Sequence, residues 1–144
     1  MGNATGFRQS CALLTAQEAS RLARTPLTRQ PSENSGSECR YGPSSGSSTG
    51  VQIEAKVDPD DAFAQADYPA WMQSIMKEPG FTVTPVSNFA DGATMIHSSV
   101  FDAIAFRRGS TLVKIGVTPA ASDAALRLTA QTVLNRLDAS RPKP

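Results

Sequence analysis

The stretch Val51-Gln52-Ile53-Glu54-Ala55-Lys56-Val57 alternates apolar and polar residues with period two. Successive strand side chains point to opposite faces, so this segment reads as a β-strand with one face buried. A sheet with one apolar face needs amphipathic elements to cover it. The remainder of the chain must supply them.

Helix signals stand at three places. Thr15-Ala16-Gln17-Glu18 is a capping box, in which the Thr15 hydroxyl accepts from the Glu18 N–H and the Glu18 carboxylate reaches back to Thr15. Leu14 before the cap can staple against Ala19, and Pro26 disfavours helical geometry at Thr25, so this helix ends near Arg24. Asp58-Pro59-Asp60-Asp61 opens a second helix with carboxylates at the positive end of its dipole. Its apolar residues Ala64, Tyr68, Trp71, Met72 and Ile75 recur three or four apart on one face. Pro69 falls in the middle and should kink or split that helix, and Pro79-Gly80 ends it. A third helix runs from a Ser122 cap to about Leu137, burying Leu126, Ala130, Val133 and Leu137.

Strand signals fill the intervals. Glu38 to Tyr41 interrupts a serine-, glycine- and proline-rich stretch over 30–49. Phe81 to Thr84 is broken by Pro85. Ala93–His97, Phe101–Phe106 and Thr111–Val117 follow, the last two joined by Arg107-Arg108-Gly109-Ser110 as a tight hairpin turn. The expected fold is α+β, an antiparallel sheet of five to six strands with helices packed on it, in the order α-β-β-α-β-β-β-β-α. Residues 1–9 read as a lead-in, 10–138 as a single domain and 139–144 as a tail.

Fourteen basic and thirteen acidic residues in 144 nearly cancel, with no block of one sign. The electrostatic footprint of a nucleic-acid binder is therefore missing. No apolar run approaches the length of a transmembrane helix. The opening Met1-Gly2-Asn3-Ala4-Thr5-Gly6 lacks the basic and apolar regions of a signal peptide. Either the chain is cytosolic, or a leader has been trimmed and Met1-Gly2 is an added start. The second is preferred, for reasons given below.

Two cysteines admit one internal bridge or two buried thiols. Cys11 precedes a helix and Cys39 opens a strand after a loose polar loop. In the chain-entropy account a bridge closing that loop of about 29 residues contributes about 3.6 kcal/mol. Two distant cysteines and one histidine cannot complete a tetrahedral metal shell, and no cofactor motif is present. The residues before Cys11 are not the small apolar lipobox that acylation requires.

Among residues that could carry chemistry, His97 has Ser98, Ser99 and Asp102 nearby but no nucleophile elbow, so the reading favours a hydrogen-bonded strand histidine and no catalytic set. Asp58, Asp60 and Asp61 read as helix caps. Tyr68, Trp71, Met72 and Met76 form an aromatic and methionine stripe that usually lies in a core, yet a helix broken at Pro69 can stand at the rim of a groove. These four, with Arg107 and Arg108 at a hairpin tip, are the candidate binding residues.

Cys11-Ala12-Leu13-Leu14-Thr15 with Glu18 resembles the C-x-L-L-T-x-x-E opening of small exported bacterial envelope and lipoprotein domains of unknown function. Cys39-Arg40-Tyr41 is similar to their second cysteine followed by an aromatic. Val86-Ser87-Asn88-Phe89-Ala90-Asp91-Gly92-Ala93 resembles their V-x-G-L-G-D-x-A turn, with Asn88 and Ala90 where glycines are usual. The resemblance spans nearly all of residues 10–138. It implies export to the periplasm or outside the cell and a Cys11–Cys39 disulfide, and it transfers no activity. Some relatives resemble the Mog1/PsbP-like α+β sandwich. The expected function is a non-enzymatic envelope module binding an unknown protein, peptide or small apolar ligand. A structural or assembly role is the alternative, and a hydrolase built on His97 is the third reading.

Overall fold

A computed structural model describes residues 10–30, 38–43, 49–77 and 80–140. The expected lead-in 1–9, the serine-rich connection 44–48 and the tail residues 141–144 lie outside these. In chain order the elements are α1 (Ser10–Leu13), α2 (Ala16–Ala23), β1 (Thr28–Gln30), β2 (Glu38–Gly42), β3 (Gly50–Val57), α3 (Asp61–Ile75), β4 (Thr82–Val86), β5 (Ala93–His97), β6 (Asp102–Arg108), β7 (Thr111–Thr118) and α4 (Asp123–Ser140). The class is α+β, and one antiparallel sheet runs in the order β1-β2-β3-β7-β6-β5-β4.

Among the described residues the sheet has seven strands, more than the five or six expected. The additional one is β1, whose residues Thr28-Arg29-Gln30 carry no alternation and are mostly exposed. It is held by pairing with β2 at the sheet edge, Thr28 opposite Gly42 and Gln30 opposite Arg40. Pro85 does not end its strand either: β4 continues to Val86 on the opposite edge, where a missing N–H leaves no partner strand unpaired. The hairpin turn is shorter than expected, since Arg107 and Arg108 remain paired in β6 and only Gly109-Ser110 turn the chain. Pro69 does not split α3, which is continuous from Asp61 to Ile75. Both Pro69 and Gln65, whose carbonyl loses its partner, are exposed, so water can satisfy that oxygen.

The strand β3 behaves as its alternation requires. Val51, Ile53 and Ala55 are buried, and they share a face with Cys39 and Tyr41 of β2 and with Val113, Ile115 and Val117 of β7. Ile104 and Phe106 of β6 and Met95 of β5 extend this core across the sheet. Helices α1, α2 and α4 close it with Leu13, Leu14, Ala19, Leu22, Leu126, Ala130, Val133 and Leu134. Two of those helices begin as expected. The Thr15 hydroxyl accepts from the Glu18 N–H at 3.1 Å, with Glu18 returning the bond, and the Ser122 hydroxyl accepts from the Ala125 N–H at 3.1 Å. The helix after Ser122 runs to Ser140, two residues into the expected tail.

A covalent link and a hydrogen bond hold this layer to the sheet, and an ion pair ties its helices together. Cys11 and Cys39 form a disulfide that ties α1 to β2. The Tyr41 hydroxyl donates to the Leu14 carbonyl beside it. Arg136 of α4 grips both Glu18 oxygens, at 2.5 and 2.6 Å, and donates to the Leu13 carbonyl at 3.0 Å. That bidentate bond to the guanidinium holds the Glu18 carboxyl down at about 2.

The turn after β4 inserts Phe89 into the same core, its ring edge-on to Phe106 at 5.3 Å. Asn88 and Ala90 flank it at φ 57° and 51°. These are the two positions where the resembling turn carries glycine, and the left-handed backbone there is the physical reason glycine suits them.

The opposite face of the sheet is covered differently. Among the described helices only α3 packs on it, with Met72 over Ile96, Ala103 and Ala105, and Tyr68, Trp71, Ile75, Phe81 and Phe101 around them.

Candidate functional site

Helix α3 covers β5, β6 and the start of β7, and among the described residues no helix lies on the rest of that face, over β2, β3 and the end of β7. A trough of about 660 Å³ opens there, lined by Gln30, Arg40, Gln52, Phe101, Lys114 and Thr118 and floored by Gly50 and Gly116. The volume lies within the range of small-molecule sites. Register explains the lining. Arg40 stands opposite Gln52, Gln52 opposite Gly116, and Gly116 opposite Ala103, so one row of the sheet carries long polar side chains on two strands and almost nothing on the next two. The long side chains make one wall. Phe101 makes the other, fixed by an edge-on contact with Phe81 at 5.4 Å.

The two floor glycines differ in origin. A β-carbon on Gly50 would stand 3.1 Å from the Tyr41 carbonyl oxygen, a tight approach that favours glycine there. A β-carbon on Gly116 would meet only ordinary contacts, at 3.9 Å from Ala103 and from Phe101. Gly116 is also absent from the positive-φ positions. Neither backbone shape nor crowding requires glycine in this central strand, where it costs about 0.5–1 kcal/mol relative to alanine. What its missing side chain leaves is the open floor of the trough.

The wall charges are held in place by carboxylates in or beside the rows. Arg40 engages Glu38 through Nε at 3.3 Å, and its side chain is 57% exposed. Lys114 Nζ stands 3.7 Å from Glu54, beyond hydrogen-bond length. Tyr41 and Val51 border the trough with side chains turned to the buried face.

The sequence-predicted residues fall into two groups. Tyr68 and Trp71 lie half-buried and Met72 buried on the sheet beneath α3, with Met76 half-buried at the helix C-cap. The Tyr68 hydroxyl meets the Thr94 hydroxyl at 3.0 Å and donates to the Ala105 carbonyl at 3.2 Å, and burial pushes its pKa up. These side chains adjoin the trough through Phe101, which belongs to their cluster. Arg107 and Arg108 are engaged at the far end of the hairpin. Arg108 forks onto Asp138 at 2.8 Å and reaches Asp91, while Arg107 donates to the Gly109 carbonyl. Cys11 and Cys39 are joined on the covered face.

His97 faces carboxylates with both ring nitrogens, Nδ1 to Asp102 at 2.8 Å and Nε2 to Asp123 at 3.0 Å. Asp102 also accepts from the Ala121 N–H at 3.0 Å, so this chain of contacts ties β5 and β6 to the start of α4. Ser98 turns its hydroxyl to the Phe101 carbonyl and accepts from the Val100 and Phe101 N–H groups. Of the three aspartates before α3, Asp60 caps it, accepting from the Phe63 N–H at 2.8 Å, and Asp61 lies in the first turn. Asp58 is not a cap. It is buried beside Lys56, whose Nζ bonds Asp67 at 2.6 Å, and burial raises its pKa while the Lys56 bond lowers that of Asp67. Among the described residues no group of three or more histidine, cysteine, aspartate or glutamate side chains could hold a metal ion.

The trough residues Arg40, Gln52, Phe101, Lys114 and Gly116 were not singled out by the sequence. The one signal that could have found Gly116 is a lone glycine inside the clear strand Thr111–Val117, a pattern that marks close approach or deliberate space.

Set against protein-family models, curated proteins and solved structures, the chain matches none of them significantly. No helix among the described residues is long and apolar enough to cross a membrane.

Proposed function

We propose that the chain is a non-enzymatic binding module of the cell envelope, periplasmic or secreted, and that its ligand seat is the trough on the uncovered half of the sheet. The observation that carries the reading is Gly116: a glycine in a central strand with room for a side chain, sitting at the floor of a cavity of about 660 Å³. The Cys11–Cys39 disulfide supports an oxidising compartment. The seat lies beside the Tyr68–Trp71–Met72 stripe rather than on it, with those side chains backing the Phe101 wall.

A ¹⁵N-edited NMR titration with the uncharged aromatic probe phenylnaphthylamine tests the location. The expected result is shifts concentrated at Gln52, Gly116 and Thr118, abolished by Gly116→Val in a variant that keeps its far-UV circular dichroism. Shifts confined to Tyr68–Met76 would move the seat to α3. An absence of saturable shifts would overturn the reading.

A further inference from the structure

We propose that the occupant of the trough is a small organic anion with a flat apolar body, its acid group held between Arg40 and Lys114 and its body laid on the glycine floor against Phe101. This rests on the reading of the trough as a ligand seat.

Charge argues for the acid group. Among the described residues that line the trough, the ionisable side chains turned to it are Arg40 and Lys114, both cationic, since the Tyr41 side chain lies on the opposite face with its hydroxyl on Leu14. Their carboxylate neighbours leave donors over. Glu38 meets Arg40 at Nε, the inner edge of a guanidinium that carries five N–H donors. Glu54 stands too far from Lys114 to take a hydrogen bond. Both carboxylates thus hold the cations over the sheet without using up their hydrogen-bonding capacity.

Register leaves the two cations within reach of one site. Lys114 is two strands from Arg40 and two residues off the Arg40–Gln52–Gly116 row, so their backbones are roughly 12 Å apart. Two long side chains that both line the trough span that gap to one acid group, with Gln52 on the strand between them as a neutral donor. The body of the ligand has a flat seat because Gly50 and Gly116 raise no side chain, and an aromatic wall because Phe101 stands at the edge of that floor. An acid-free apolar guest would leave two cations desolvated beside it, which is unfavourable.

Anilinonaphthalene sulfonate and phenylnaphthylamine share a ring system and differ by the sulfonate, so they isolate the charge. Binding of each is read by the same amide shifts and by energy transfer from the single tryptophan, Trp71, to the bound probe. The sulfonate is expected to bind about tenfold more tightly, and the double variant Arg40→Gln, Lys114→Gln is expected to erase that preference by weakening the sulfonate. In the unmodified protein, raising the salt concentration should weaken the sulfonate alone. Equal affinity for the two probes, or a preference that survives both the double variant and high salt, overturns the anion proposal and leaves the seat standing. Failure of both probes to bind overturns the seat as well.

Discussion

The two faces of the sheet are built from the same strands and use them in opposite ways. On one, α1, α2 and α4 lie over β-branched and aromatic residues, and Ile53, Phe106, Val113 and Ile115 are fully buried. On the other, α3 covers a small cluster and stops, and the strands beyond it present Arg40, Gln52, Gly50 and Gly116. On the reading proposed above, stability and recognition fall to different sides of one sheet: residues on the sealed side fill volume, and those on the open side leave space.

The sharpest way to break that contrast is to delete a ring from each side. Phe106→Ala, at the centre of the sealed core, is expected to cost about 3–5 kcal/mol by chemical denaturation, since it removes a fully buried ring and leaves a cavity against Phe89. Phe101→Ala should cost less than half of that. Comparable losses would mean that the open face is as structural as the closed one.

A smaller effect should appear in acid on the sealed side. The folded state holds Glu18 ionised down to about 2 through its bidentate bond to Arg136, whereas the unfolded chain takes up a proton near 4.5. The unfolded state therefore binds more protons across that interval. The clamp between α2 and α4 is fully effective above pH 4.5 and is lost as pH falls toward 2. With partial exposure discounting it, the contribution is on the order of 1 kcal/mol. Stability measured against pH in Glu18→Gln should be flatter over that range, and an unchanged slope would remove the clamp from the account.

The smallest effect has the opposite sign. Gly116→Ala should raise stability by about 0.5–1 kcal/mol, because strand glycine loses more conformational freedom on folding and the new methyl meets no close neighbour. The same change should weaken probe binding in the trough. A variant that is both more stable and an undiminished binder would mean that the glycine serves something other than the seat.

Much of the scaffold was legible because its signals are local. The capping box at Thr15 and Glu18, the Asp60 and Ser122 caps, the alternation of residues 51–57 and the final hairpin each depend on neighbours within a few positions, and each forms as its chemistry requires. The errors share a cause. Thr28–Gln30 becomes a strand only because β2 lies alongside, Pro85 is tolerated only because its strand is an edge, and Pro69 is accommodated only because its side of α3 faces water. Asp58 reads as a cap in the linear order but folds under Lys56 and Asp67.

By itself the sequence determined an α+β chain with an antiparallel sheet, its main helices and the face of β3 that must be buried, because side-chain period and capping are properties of adjacent residues. Which half of the other face would stay open was decided by the tertiary structure alone. Arg40, Gln52, Lys114 and Gly116 are far apart along the chain and meet only through strand register and the place where α3 stops, and neither quantity is written in any local run of residues.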